Sequence, residues 1–296
     1  MIDQDALAAL DGLQWLRTGE AVERCFGMSA STVSRQSHRV LELFGVTLER
    51  RAGEWCVVGD DTLLQQQRRV HQMARWRGHR PLRLEATYWS GPLLATPTPP
   101  RWRLGLGSIV GVPRNFQLVR ERIVDGFLAG LPDLPPPEYP ELTALVLSAM
   151  PVFFVVAPDH PLARQPRLSL DDIARFPTLA LPSGSYPLVE QALKRIGLWN
   201  DPVRMHRYQR ELWEGRAEAE LTVGYGTPLS LAVSGGSLVR LPLELPFRSG
   251  DALVVRREFA GHPELLRLRS LLLARLSRLA ETHPEIQPVL PAAAPR

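Results

Sequence analysis

Ser29-Ala30-Ser31-Thr32-Val33-Ser34-Arg35-Gln36 sets small hydroxyl side chains and an arginine at helical spacing, the chemistry that reads base edges and phosphates in a major groove. Gly27 breaks the preceding helix, Ser29 is a good N-cap for the next, and Ala30, Ser31 and Thr32 make a slim first turn. Ser29, Ala30, Ser31, Thr32, Ser34 and Arg35 are the candidates for base and groove contacts, and Arg39 and Arg51 for phosphate. A solvated arginine in any soluble helix gives the same local pattern, so the motif has to be weighed with its surroundings.

A second chemistry is the holding of a small molecule. Thr87-Tyr88-Trp89-Ser90 follows an apolar run and offers hydroxyls and an aromatic wall. Ser183-Gly184-Ser185-Tyr186-Pro187 opens a helix whose free N–H groups suit a carboxylate or another anion. Thr227, after Tyr225-Gly226, is a third position. The same residues serve equally well as caps and core. Catalysis finds little support. No serine sits in a Gly-x-Ser-x-Gly elbow, and Asp159-His160-Pro161 reads as a turn after a strand. Gly105-Leu106-Gly107 lacks the third glycine of a dinucleotide fingerprint, and no histidine pair has zinc spacing. No metal or cofactor is expected, and the chain is not expected to be an enzyme.

The elements that must position these residues follow from periodicity. Leu7, Leu10, Leu13 and Leu16 line one helical face that Thr18-Gly19 closes, and residues 21–26 form a short second helix. The third helix covers 29–44, with Val33, Val40, Leu41 and Phe44 inward and Gly45 at its end. Residues 46–48 and 55–58, joined by a turn over 50–54, form a wing. One long polar helix then runs from Asp60 or Asp61 to about Arg77. Leu63, Val70 and Ala74 share a face of it, with Leu64 and His71 beside them, a spacing suited to pairing between two copies. Such a helix is marginal alone in water, which favours a partner.

From Leu82 short strands alternate with helices: strands at 82–86, 102–107, 142–157, 178–181 and 221–225, helices at 116–128, 169–175 and 187–196. The alternation predicts a parallel-rich α/β domain with helices on both faces. Gly91 to Pro100 is Pro-rich, and residues 288–296 are expected to be a disordered tail.

The order of these segments resembles the LysR-type transcriptional regulators along nearly the whole chain. The likeness rests on the third-helix motif, Gly45-Val46-Thr47-Leu48-Glu49-Arg50-Arg51, Val155 through Ala163, and Gly236 through Pro242 before a strand at 252–256 and a Leu-rich last helix. It implies an α+β multidomain chain. A winged helix-turn-helix (1–60) and a linker and dimerisation helix (61–79) would precede a two-lobed α/β effector-binding domain (80–287) like a periplasmic binding protein. It also implies double-stranded operator DNA, a small-molecule effector with anions among the candidates, a homodimer or tetramer, and RNA polymerase as a possible further partner. The positions 87–90 and 183–187 match where the family contacts its effectors. Glu23, Ser37 and Glu49 depart from the small apolar, aliphatic and phenylalanine residues usual there, and each would weaken a small core unless Trp15, Trp55 and Cys25 rebuild it. A ligand-binding protein with a degenerate, weakly DNA-binding unit is the alternative.

Composition sets the outer limits. The chain has 296 residues, 45% of them hydrophobic, enough for a small domain and a larger one. A net charge of +4 excludes a polybasic coat for nucleic acid, so affinity would rest on local placement. Lys194 is the only lysine. Cys25 and Cys56 lack a CxxC partner and no secretory leader is recognised, which suits reduced thiols in a cytoplasmic protein. The apolar run at 142–157 is too short to span a bilayer, and no membrane association is expected.

Overall fold

The computed structural model describes residues 3–289. It begins with α1 (Gln4–Leu16), α2 (Gly19–Phe26), α3 (Ala30–Phe44), and a hairpin of β1 (Thr47–Arg51) and β2 (Glu54–Val58). Thr18 starts α2 rather than closing α1, because its hydroxyl accepts from the Ala21 N–H. The Ser29 hydroxyl caps α3 by accepting from the Thr32 N–H, and Gly45 closes that helix at φ 63°. The wing is tighter than the sequence suggests: Arg51 pairs with Glu54, so only Ala52 and Gly53, both at positive φ, make the turn.

Helix α4 (Thr62–Trp76) joins this unit to the rest of the chain. It is not the solvated connector its polarity suggests. Leu64, Arg68, His71, Gln72, Arg75 and Trp76 form its buried face, whereas Leu63, Val70 and Met73 are exposed. Leu64 joins the core of α1 and α3, and Trp76 stacks on Phe259 at 4.6 Å inside the C-terminal core. The chain's own cores therefore hold one face of the helix and leave the Leu63, Val70 and Met73 face exposed.

The remainder comprises β3 (Leu82–Ala86), α5 (Ser90–Leu94), β4 (Trp102–Leu104), α6 (Val112–Arg120), β5 (Gly126–Gly130), β6 (Leu142–Val146) and β7 (Ser148–Val156). Then follow α7 (Leu170–Ile173), β8 (Leu179–Ala180), α8 (Pro187–Arg195), β9 (Asp201–Pro202), α9 (Glu214–Ala219), β10 (Gly224–Gly226) and α10 (Pro228–Ser234). The last elements are β11 (Val239–Ser249), β12 (Asp251–Arg256), α11 (Pro263–Thr282) and β13 (Gln287–Pro288). One sheet runs β4-β3-β5-β12-β6 and another β10-β7-β11, with β13 also on β7. The chain crosses between the sheets at Leu147 and again at Gly250. There the Asp251 carboxylate accepts from the Ser90 and Ser148 hydroxyls.

The sheets are less parallel than expected. Among the described strands β3–β4, β3–β5 and β8–β9 pair parallel, beside an isolated parallel bridge of Thr178 with Val223, and the other strand pairs of this region are antiparallel. The helix expected over 116–128 stops at Arg120, and the strand β5 takes the second half of that apolar run. The Pro-rich stretch after Trp89 keeps only the short helix α5. Pro288 pairs with Ser148 and the Val289 N–H donates to Leu147, so these two residues of the expected tail are ordered; residues 290–296 lie outside the described residues. Among the described residues no helix is long and apolar enough to cross a membrane.

The N-terminal unit is docked on the C-terminal one through buried charge. Asp11 of α1 accepts from Arg68 Nε of α4 at 2.9 Å and from Arg83 Nη1 of β3 at 3.0 Å. Arg75 of α4 grips Asp125, before β5, at 2.7 and 3.0 Å, and the Arg83 N–H also donates to Asp125. The Trp15 indole donates to Glu85 of β3 at 2.5 Å. Burial, then the neighbouring Arg75, pushes the Arg83 guanidinium down to about 10, which leaves it charged at neutral pH. A side chain at Gly105 would strike Glu85 and Trp15, so a glycine there lets the units close.

Arg68→Ala is expected to lower stability by about 3–5 kcal/mol in urea denaturation, because it strips a partner from the buried Asp11 carboxylate. Arg51→Ala, at an exposed pair with Glu49, should change it by less than about 1 kcal/mol.

Candidate functional site

Two sites are candidates, a helix face and an aromatic cavity. On α3, Ser29, Ala30, Ser31, Ser34, Arg35 and Arg39 are exposed and Thr32 is half-buried. Ser31, Arg35 and Arg39 fall four residues apart and share one stripe. Val33, Val40 and Leu41 fix the opposite side in the core. Arg51 lies on the wing, where Glu49 holds it at 3.1 Å and competes with any phosphate. The departures at 23 and 49 do not weaken the core, since both glutamates are exposed. Ser37 is the costly one: its Oγ is buried without a hydrogen-bond partner among the described residues. Trp15 and Cys25 pack with Ala21, Val22 and Val33, Trp15 lying edge-on to Phe26, so they do contribute to this small core. They also face the C-terminal unit, meeting Glu85 and the Leu104 carbonyl, while the Trp55 indole donates to the Arg17 carbonyl.

The cavity, of about 80 Å³, lies where β3, β7, α8 and β10 converge. Thr87, Tyr88, Trp89, Tyr186 and Thr227 line it, as sequence reasoning expected. Ser90 lies behind the wall, bonded to Thr87 and Asp251. Ser183 is exposed, and neither it nor Ser185 reaches the cavity. The expected anion site at the start of α8 is already filled from within. The Asp133 carboxylate accepts from the Leu188 N–H at 2.7 Å and the Val189 N–H at 3.3 Å, and burial outweighs these bonds to raise its affinity for a proton. His160, weighed for hydrolysis, is buried and caps a turn by accepting from the Leu162 N–H.

Sequence reasoning missed Tyr208, Trp213 and Tyr225, which complete an aromatic wall with Tyr88, Trp89 and Tyr186. The signal was compositional: of the five tyrosines in the chain all but Tyr139 line this one cavity. Tyr88 and Tyr208 stack at 3.8 Å, and both hydroxyls donate to Glu214, at 3.4 and 2.8 Å. Burial raises Glu214 above the usual carboxylate range and pushes the Tyr186 phenol up to about 12.

The LysR substrate binding domain family matches residues 109–277, more than half of the chain and nearly all of the cavity's lining. The chain belongs to the LysR-type regulator family. Solved structures of three regulators share its fold at 15% identity. Full-length OxyR from Pseudomonas aeruginosa has a TM-score of 0.56, covering 92% of this chain and 95% of that one. Full-length CbnR complexed with its target DNA scores 0.52, covering 93% and 99%, and a point mutant of full-length BenM 0.51, covering 99% and 100%. No curated protein sequence matches the chain.

In this LysR-type chain the cavity wall and the wing are one step apart. Ser108–Val110 and His206–Tyr208 pair across the cleft through Val110 N–H to the His206 carbonyl and Tyr208 N–H to the Ser108 carbonyl. Tyr208 lines the cavity. Its neighbour Arg207 turns away, as alternate residues of extended chain do, and holds Glu54 of the wing at 2.8 and 2.7 Å. Arg114 of α6 reinforces the contact by donating to the Gln14 and Trp55 carbonyls.

Asp133→Ala removes the cap of α8 and is expected to cost about 0.5–2 kcal/mol in thermal unfolding, within the range of N-cap losses.

Proposed function

We propose that the protein is a DNA-binding transcriptional regulator of the cytoplasm whose operator binding responds to a small molecule in the aromatic cavity. The observation that carries the reading is the Arg207–Glu54 pair, which ties a cavity-lining segment to the wing of a unit with an exposed, well-capped recognition helix. CbnR, similar in fold, has been solved with its target DNA. Ser29, Ala30, Ser31, Thr32, Ser34 and Arg35 would meet the groove, and Arg39 and Arg51 the phosphates. Exposed Leu63, Val70 and Met73 supply the seam for a second copy, so that two recognition helices reach successive major grooves. The two sheets would act as lobes. A ligand that binds one arrangement of 108–110 and 205–208 more tightly shifts Arg207, and with it the wing, by no more than its differential affinity. The changed angle between subunits would then alter DNA bend or contact with RNA polymerase. No catalytic step is proposed.

The test is an anisotropy titration against the DNA upstream of the protein's own gene, with a scrambled duplex of equal length as competitor. Arg35→Ala should lower specific affinity by about 1–3 kcal/mol while leaving the scrambled duplex nearly unchanged. Equal binding of both duplexes by the unaltered protein would instead favour a ligand-binding protein with a degenerate DNA-binding unit.

A further inference from the structure

The chemical class of the ligand can be read from the charge around the cavity. The side chains that line it are aromatic, aliphatic or hydroxyl-bearing, and no arginine, lysine or histidine is among them. Two carboxylates stand behind the wall. Glu214 borders a side void shared with Trp213, Tyr225 and Gly226, and Asp133 sits at the start of α8 behind Tyr186. Neither forms an ion pair among the described residues. The nearest candidate, Arg210, is committed to Glu218 and the Ser234 carbonyl.

Resting on the reading of this cavity as the effector site, we infer that it is an aromatic cage for a small organic cation, such as a quaternary or fully alkylated ammonium group. A cation is drawn to the negative faces of tyrosine and tryptophan rings when it is desolvated among them. Tyr88, Trp89, Tyr186, Tyr208, Trp213 and Tyr225 supply such rings on several sides. The Tyr88 and Tyr208 hydroxyls donate to Glu214, so the carboxylate polarises those rings towards negative charge and supplies the counter-ion that a buried cation requires. An anion entering here would meet ring faces and two carboxylates with no cation to pair it. A neutral ligand would draw nothing from Glu214, whose charge is offset only by the more distant Arg210.

The experiment titrates the full chain with tetramethylammonium chloride, tert-butyl alcohol and sodium trimethylacetate, followed by calorimetry and by the fluorescence of Trp89 and Trp213. Tetramethylammonium should bind at least about tenfold more tightly than either of the others. Glu214→Gln should weaken the cation by about tenfold and leave the alcohol unaffected. Should Glu214→Gln fail to fold by circular dichroism, Tyr208→Leu removes a ring without touching the carboxylate and should weaken the cation at least about fivefold. Alcohol or trimethylacetate binding as tightly as the cation would overturn the cation assignment and leave the cavity as a ligand site. Absence of binding by all three probes would overturn both.

Discussion

Taking Asp11 out of water is the constraint on which the rest of the molecule depends. A carboxylate buried that completely costs several kcal/mol unless partners meet it, and its partners come from different units, Arg68 from α4 and Arg83 from β3. Helix α1 is thereby fixed in rotation and height on the edge of the C-terminal sheet. Arg75 with Asp125, Trp15 with Glu85 and Arg207 with Glu54 repeat the device along the same seam. Apolar contacts tolerate sliding, whereas each of these pairs is satisfied only in one register. The network sets where the DNA-binding unit sits more than how strongly it is held.

That register has a functional consequence. With α1 and the wing seated, α3 turns its hydroxyls and arginines to solvent, and the wing lies one ion pair from the segment that carries Tyr208. The cavity is a partly open, aromatic space behind that segment. A change of its shape has a short physical route to the wing, through a pair of extended segments and a bidentate guanidinium, with no flexible linker between.

Local chemistry was legible in the sequence. Ser29 as a cap, Gly45 as a helix end, the wing and the strand start at 82 all follow from residue preferences that act within a few positions. What involved distant partners was not. Arg207 and Glu54 lie 153 residues apart, and in a chain with 35 basic residues neither stands out as buried. Helix α4 has two faces: the apolar Leu63 and Val70 that periodicity set aside for pairing between copies are exposed, while Arg68, Gln72 and Arg75 are buried on another face that no local spacing marks. The turn at 183–187 does open a helix, but the N–H groups expected to be free there are taken. Its occupant, Asp133, comes from a loop some 55 residues away and cannot be seen in the motif.

The central claim is that the DNA-binding unit rests on the ligand-binding unit through paired buried charges in solution. The measurement that tests it most directly is a double-mutant cycle across Glu54 and Arg207, with Glu54→Gln, Arg207→Met and the double variant compared in urea denaturation. Docked units predict a coupling of about 0.5–3 kcal/mol, as for residues in contact. Effects that add to within about 0.3–0.5 kcal/mol would mean that the two groups do not meet, and would contradict the docked arrangement.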